Sequence, residues 1–374
     1  MDCSHVFEFK VNRLIVVFAL FLAVFSNAPV AFAQADAVHS DENVHAKTEK
    51  KFDIGKFALH HIGDSHSWHV IGSTYISLPV ILYTSNGFVT FSSGDFHHDD
   101  EAKIVVERKG LGFVKLHEKI YYASAKANAH GQYVDLDDKH HALNARPLDI
   151  SLTKNACTLL ISVVVLLAVF LNVANGYKKR KGKSPKGLQS WMEPIILFVR
   201  DDIAKPNLGH KYERFMPYLL TVFFFIWFNN MLGLVPFLPG GANLTGNIAV
   251  TMVLAVATFC LTVFNGNKYY WKHIFMPDVP WWMYVVMVPV ELFGIFTKPI
   301  ALMIRLFANI TAGHILVLSL ICLVFVFDSL YIAPVSIAFA VFIGAIELLV
   351  AFIQAFIFTI LSALFIGMAI EEHH

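Results

Sequence analysis

The feature that most constrains this chain is a set of long stretches that contain no Asp, Glu, Lys or Arg. These stretches run through residues 155–177, 215–267 and 306–327. A helix rises about 1.5 Å per residue and the hydrocarbon core of a bilayer is about 30 Å thick, so about 20 apolar residues cross it. Hydrophobic residues make up 56% of the chain and charged residues only 15%. The composition therefore excludes an ordinary soluble protein and predicts an integral membrane protein.

The first 33 residues have the pattern of a secretory signal peptide. Lys10 and Arg13 precede the apolar run Leu14–Phe25, which is too short to span a bilayer, and residues 31–33 form a small-residue cleavage motif. A short uncleaved anchor is the alternative. Both interpretations export the segment that follows.

Residues 34–150 are predicted to form a small, β-rich, exported domain that is rich in histidine. They contain 12 of the 18 histidines of the chain. Runs rich in β-branched and aromatic residues, separated by turn residues, predict short strands. These runs are residues 74–84, 88–93, 103–108 and 112–124.

Some histidines of this domain are candidate metal ligands. They are His60, His61, His66 and His69, with His97-His98-Asp99-Asp100 further on. Their spacings match no standard zinc pattern, and histidines are common on exported surfaces. We therefore assign no metal site and predict no cofactor.

Residues 151–374 are predicted to be an all-α polytopic membrane domain with five transmembrane helices. Six basic residues between 178 and 186 follow the first span and place that end in the cytoplasm. Leu188–Ile203 is predicted to be an amphipathic helix in the interface. The signal peptide and this basic run together predict a periplasmic N-terminal domain, and five spans then predict a cytoplasmic C-terminus in a bacterial inner membrane. The predicted spans are approximately residues 155–177, 215–237, 245–265, 283–327 and 334–370.

The last two spans are longer than a bilayer requires, so they are predicted to form a tilted antiparallel hairpin with a turn near residue 330. Pro289 and Pro299 are candidate break points. Glu291, Lys298 and Arg305 are spaced seven residues apart, so they lie near one helix face.

Arg305 lies deep in the first of these two spans, with Asn309 one turn beyond. A cation at this depth costs about 2.5–3.5 kcal/mol, so such a residue usually faces a polar partner or a water-filled path. Asn229 and Asn230, in the second span, are candidates for a water path or for interhelical hydrogen bonds.

The hairpin register predicts two polar layers. With the turn near residue 330, Arg305 lies level with Gln354, and His314 lies level with Glu347. Arg305 cannot release its proton, whereas His314 and Glu347 are able to pass protons. No carboxylate of the chain is predicted to lie opposite Arg305, so the ion carrier is expected in a partner protein.

Two motifs carry a resemblance to a known family over residues 150–374. TKPIALMIRLFANITAGH begins at Thr297, and ELLVAFIQAFIFTILSALFIGMAIEEHH begins at Glu347. The chain resembles subunit a of the membrane sector of F-type ATP synthases. The segments GLQSWMEPIILFVRDDIAKPN, from Gly187, and NNMLGLVPFLPGGANLTGNIAVT, from Asn229, resemble the same family.

This resemblance implies a non-catalytic stator that offers two offset half-channels to the rotating c-ring. The implied partners are the c-ring, the peripheral-stalk subunit b, the rest of the ATP synthase and the lipid bilayer, with no nucleic acid. The implied proton-translocation residues are Arg305, Asn309, His314, Glu347, Gln354 and Glu291. His314 and Glu347 are exchanged relative to many bacterial members, as in mitochondrial members, which preserves the pair. A secondary cation or metal transporter with a histidine-rich collecting domain is the alternative.

Overall fold

The structure, a computed structural model, is mostly helical, with a β-rich region before the first long helix. It describes residues 63–71, 74–97, 99–128, 130–137, 141–179, 184–235, 244–276, 279–326 and 333–371. The predicted signal peptide and the metal-ligand candidates His60, His61 and His98 lie outside these residues.

The β-rich region contains eight short strands in three antiparallel sheets. β1 pairs with β2, β3 lies between β4 and β8, and β6 lies between β5 and β7. Val80, Leu82, Phe96, Phe113 and Ile120 form its buried core, because alternate residues of these strands face inward. The strands are β1 (Ser67–Ile71), β2 (Thr74–Ser77), β3 (Pro79–Thr84), β4 (Gly87–Ser92), β5 (Val106–Arg108), β6 (Leu111–Leu116), β7 (Lys119–Tyr122) and β8 (Leu148–Asp149).

The predicted strand runs are right in location, but two of them are divided. Residues 74–84 form two strands that separate at Leu78. Residues 112–124 include a hairpin, whose turn residues His117 and Glu118 have φ values of 49° and 59°. Two residues with positive φ are typical of a tight hairpin turn, and neither residue type signals it in the sequence.

The remaining described chain is helical, and its long helices match the predicted spans to within a few residues. The helices are α1 (Lys154–Lys179), α2 (Leu188–Phe198), a π-helical segment (Val199–Ala204), α3 (Lys205–Leu208), α4 (Tyr212–Leu234), α5 (Ile248–Phe264), α6 (Lys268–Phe275), α7 (Tyr284–Val326) and α8 (Ala333–Ile370). Short 3₁₀ turns precede α4 and α7.

Four helical stretches among the described residues are long and apolar enough to cross a membrane. They are Lys154–Lys179, Leu188–Leu234, Tyr284–Cys322 and Pro334–Ile370. The count becomes five if α5 and α6, which meet at 99°, form one broken span. Four to five candidate spans agree with the predicted polytopic class.

The segment predicted to be interfacial packs along α8. The ring of Phe198, at the end of α2, lies 5.6 Å from the ring of Phe356. Further along, the absence of a side chain at Gly367 lets the backbone carbonyl of Asn207 approach α8 closely. At Gly209 the backbone has a φ of 55°, which suits glycine and separates α3 from α4.

α8 is the central helix, because α4, α5 and α7 all pack against it. Phe352 on α8 has aromatic contacts with α2 and α4 through Phe198, Phe223 and Trp227. At the other end of α8, the side chain of Asn267 donates to the carbonyl of Ile370 over 2.8 Å. This bond satisfies a backbone carbonyl that the helix itself leaves without a partner.

α7 runs without a break through both prolines that the sequence suggested as break points. The hairpin formed by α7 and α8 is antiparallel, as the register required: the hydroxyl of Ser336 donates to the carbonyl of Leu320 near the turn. The turn residues 327–332 lie outside the described part of the chain.

Candidate ion-translocation site

The most informative residue of the site is Arg305, which points away from the helix core. Leu302 and Leu306, on the adjoining side of α7, are only 2% and 0% exposed. Arg305 and Asn309 are both exposed, one turn apart on the same face. Within the described residues, Arg305 has no hydrogen bond or ion pair. The geometry therefore places a permanent cation on the outer surface of a candidate span.

Gln354 meets α7 at Asn309 rather than at Arg305. The Asn309 amide Nδ2 donates to Gln354 Oε1 over 3.4 Å, and Gln354 is only 4% exposed. The sequence register placed Gln354 level with Arg305, so the observed contact is offset by one turn. The offset arises because Arg305 turns outward, whereas Gln354 turns into the core.

Glu347 comes against the backbone of α7 beside His314. A Cβ atom built on Gly313 would overlap the Glu347 carboxylate, so a side chain at residue 313 would displace the carboxylate from this position. His314 is the next residue along the chain and is half-buried. The structure thus places Glu347 against the residue next to His314, while a His314–Glu347 pair stays a prediction. Sequence reasoning missed Gly313, although a glycine beside a predicted site residue was the available signal.

Four buried polar atoms near this layer have no hydrogen-bond partner among the described residues. They are Asn229 Oδ1, Thr311 Oγ1, Glu347 Oε1 and Gln354 Nε2. Buried polar atoms in proteins are nearly always bonded to protein or to ordered water, because an unmade bond costs about 1–3 kcal/mol. Such a concentration inside an apolar helix bundle is typical of a site that handles polar species.

Asn230 joins three parts of the bundle near the same layer. Thr245 Oγ1 donates to Asn230 Oδ1 over 2.6 Å, and Asn230 Nδ2 donates to the carbonyl of Ala351 over 3.4 Å. Asn229 instead bonds its own helix at Phe225. Asn230 therefore has the helix-contact geometry, and Asn229 keeps one unpaired oxygen.

Lys298 and Glu291 lie at the other end of α7 and have different surroundings. The ammonium of Lys298 lies 5.6 Å from the ring centre of Phe365 and borders a small cavity lined also by Thr258, Thr262 and Tyr270. Glu291 is close enough to Tyr270 for a Coulombic interaction. Lys298 thus turns inward, although its spacing from Arg305 predicted a common face.

The metal-ligand candidates of the β-rich region are not assembled into a cluster. His66 is buried and interacts with the carboxylates of Glu118 and Asp149. The backbone of His69 lies in β1, while its side chain is outside what the structure describes. Across the described ranges, no group of three or more His, Cys, Asp or Glu side chains is arranged to hold a metal ion.

The fold and the site define a polytopic helical membrane protein with ionisable side chains within its candidate spans. A family model described as ATP synthase A chain matches residues 156–367, which is more than half of the chain. The chain therefore belongs to the ATP synthase A chain family. A second model, described as a domain of unknown function, matches residues 57–150 and so covers the β-rich region.

Relatives that carry the name ATP synthase subunit a agree with this assignment. The chain is 52% identical to ATP synthase subunit a of Chloroherpeton thalassium over 233 residues, or 60% of this chain and 69% of the relative. It is 49% identical to ATP synthase subunit a 2 of Prosthecochloris aestuarii, over 59% of this chain and 69% of the relative. It is 47% identical to ATP synthase subunit a 2 of Chlorobaculum tepidum, over 61% of this chain and 65% of the relative.

The close contact at Gly313 gives a direct test of the site geometry. We expect Gly313→Ala to destabilise the folded protein by about 1 kcal/mol relative to Gly344→Ala, because the new methyl group displaces the Glu347 carboxylate whereas both alanines gain the same helix propensity. Gly344→Ala is the matched control, since a Cβ there meets nothing within 4 Å. Thermal unfolding in detergent measures both. Shortening the acid with Glu347→Asp is expected to recover part of the loss in the double variant, and additive effects would contradict the contact.

Proposed function

We propose that this chain is the proton-translocating stator subunit of the membrane sector of an F-type ATP synthase. It couples transmembrane proton flow to rotation of a ring of small subunits and, through that rotation, to ATP synthesis. The observation that carries the proposal is the outward-facing Arg305 on α7, which needs a polar or anionic partner at bilayer depth. Membership of the ATP synthase A chain family supports the same function.

The surface around Arg305 suits a partner helix. Ala301, Ala308 and Ala312 are exposed on the same side of α7. Small residues let helix backbones approach closely, which is how helices associate inside membranes. In the most apolar part of α7 only 11% of residues are buried, against 44% in α8. We infer that the c-ring covers this face and presents a carboxylate to Arg305.

The proton enters on the side of the His314–Glu347 layer. His314 is half-buried, and Glu347 lies against the neighbouring Gly313. Both side chains are able to accept and release protons. The unpaired oxygen of Asn229 and the buried hydroxyl of Thr311 supply further polar positions along this path. The proton then neutralises the ring carboxylate.

A neutral carboxyl group crosses lipid at far lower cost than a charged one, so the ring turns after each proton transfer. After almost a full turn, the proton leaves on the side of Glu291, near Tyr270. Arg305 keeps the two paths separate, because its fixed charge attracts the ionised carboxylate and repels a free proton. Each proton that crosses 100 mV contributes about 2.3 kcal/mol. In this mechanism the chain has no catalytic residue of its own.

The alternative function, a secondary cation or metal transporter, has less support. Such a transporter needs ligand side chains within its spans, and His314 is the only histidine of the five predicted spans. His66, one of the candidate ion-collecting histidines, is instead held between two carboxylates.

Removal of the arginine tests the proposed mechanism. We expect Arg305→Ala to abolish ATP-driven proton pumping in inverted membrane vesicles, because nothing then holds the ring carboxylate or separates the paths. ATP hydrolysis by the catalytic head is expected to persist. Arg146→Ala removes the same side chain in the β-rich region, where Arg146 stacks on Tyr121, and is expected to leave pumping intact. Wild-type pumping in the Arg305 variant would rule out the mechanism.

We further propose that the chain crosses a bacterial inner membrane five times. Lys178 and Lys179 end α1 and begin the basic run, which favours a cytoplasmic position for that end. Counting α5 with α6 as one span then places the β-rich region in the periplasm and the C-terminus in the cytoplasm. Subunit b and the rest of the ATP synthase are the further partners that the family assignment implies.

Cysteine labelling tests this topology. In a variant whose native cysteines are replaced, Ala125→Cys is expected to react with an impermeant maleimide on intact cells. Both Ala125 and Glu371 are exposed, so access to the reagent depends on the compartment. Glu371→Cys is expected to react only after the inner membrane is opened. The reverse pattern would contradict the topology.

A further inference from the structure

The β-rich region is bonded directly to the first turn of α1. Asp64 Oδ1 accepts a hydrogen bond from the backbone N–H of Asn155 over 3.0 Å. The carbonyl of Ser65 accepts one from the backbone N–H of Lys154 over 2.9 Å. The first N–H groups of a helix have no partner within the helix, so these bonds complete the start of α1. Residues just before β1 thus serve as a cap for the first span.

The next residue, His66, links this cap to two other parts of the domain. Its Nε2 lies 3.1 Å from Asp149 Oδ2 in β8. Its Nδ1 lies 3.7 Å from Glu118 Oε2 in the β6–β7 turn. The backbone N–H of His66 donates to the same Glu118 oxygen over 3.0 Å. His66 is only 4% exposed, so these contacts are largely shielded from solvent.

Other charged groups surround the pair from every neighbouring element. From β6, Lys115 Nζ lies 3.0 Å from Glu118 Oε1 and 3.6 Å from Asp100 Oδ1. From α1, the buried Lys154 interacts electrostatically with Asp64 and Glu118. The cluster therefore contains four carboxylates and only two lysines besides His66.

This charge balance favours the doubly protonated form of His66. With a neutral ring that donates from Nε2 to Asp149, Nδ1 would turn a lone pair toward Glu118. Burial lowers the pKa of His66, but the hydrogen bond to Asp149 and the charges of Asp149 and Glu118 outweigh burial and raise the pKa to about 9. Burial raises the pKa of Glu118, whereas His66 and Lys115 together lower it to about 2.

We propose that His66 is a proton-binding site whose occupation fastens the β-rich domain to the first span. The bound proton supplies the third cation of the cluster and keeps Glu118 and Asp149 together. Residues 64–66 then stay in place to cap α1. Loss of that proton leaves an excess of buried negative charge at the junction, which loosens the cap.

The direction of the pH dependence follows from the sign of the shift. A histidine whose pKa is higher in the folded than in the unfolded state contributes its full stability below pH 6.5, and loses it as the pH rises toward 9. Glu118 behaves oppositely, since its contribution is present above pH 4.5 and disappears as the pH falls toward 2. The junction is therefore most stable between pH 4.5 and pH 6.5, and it loosens as the pH rises above 6.5.

If this domain is periplasmic, as the proposed topology requires, acidification of the periplasm tightens the junction. The periplasm would then supply protons to the site at His314 and Glu347, and its pH would also determine how firmly the domain holds α1. The loosening itself depends only on the local pH, so its test does not depend on the proposed function.

Hydrogen exchange at the helix start provides the test. The full chain in lipid nanodiscs is measured from pH 6 to pH 9.5, and exchange of the Lys154 and Asn155 amides is divided by the intrinsic rate at each pH. We expect protection to fall by about tenfold per pH unit between pH 6.5 and 9. His66→Gln is expected to remove this slope. His130→Gln, which changes an exposed histidine, is the matched control and is expected to keep it.

A flat protection profile in the unmodified protein, or an unchanged slope in His66→Gln, would overturn the proposal. A second measurement replaces this comparison if the His66→Gln variant does not fold. Direct titration of the His66 imidazole by NMR in the unmodified chain is expected to give a pKa well above 6.5. A value at or below 6.5 would equally overturn the proposal.

Discussion

The rest of the structure depends on a charge that cannot be neutralised inside a candidate membrane span. Arg305 cannot release its proton in a protein, and its face of α7 turns away from the helix core. Lipid does not solvate a guanidinium group, so this face requires a polar partner. An isolated chain leaves this requirement unmet, as the proposed rotating interface with the c-ring requires.

The packing explains how the chain keeps that face outward. α8 occupies the centre, and its aromatic contacts with α2 and α4 fix its orientation through Phe352. α7 then packs on α8 through Leu302, Leu306 and the close contact between Gly313 and Glu347. Since membrane helices associate by close packing rather than by hydrophobic transfer, such glycine and aromatic contacts decide which residues face the partner.

Much of the fold and the site could be predicted from the sequence, because both depend on strong local patterns. The stretches without charged residues predicted the long helices, and the hairpin register predicted that Glu347 lies level with His314. The one-turn offset between Arg305 and Gln354 could not be predicted, since spacing does not say which way a side chain turns. For the same reason, the spacing did not predict that Lys298 turns inward, away from the face of Arg305. The junction at His66 was also missed, because it joins residues far apart in the chain.

Photo-crosslinking tests whether the c-ring covers the face of α7 that carries Arg305. A benzophenone side chain is placed at Ala308, which is exposed beside Arg305, and at Val164, which is exposed on α1, as the control. In native membranes, we expect a crosslink from position 308 to a small ring subunit and none from position 164. Crosslinks from position 308 to lipid alone would contradict a ring interface at Arg305.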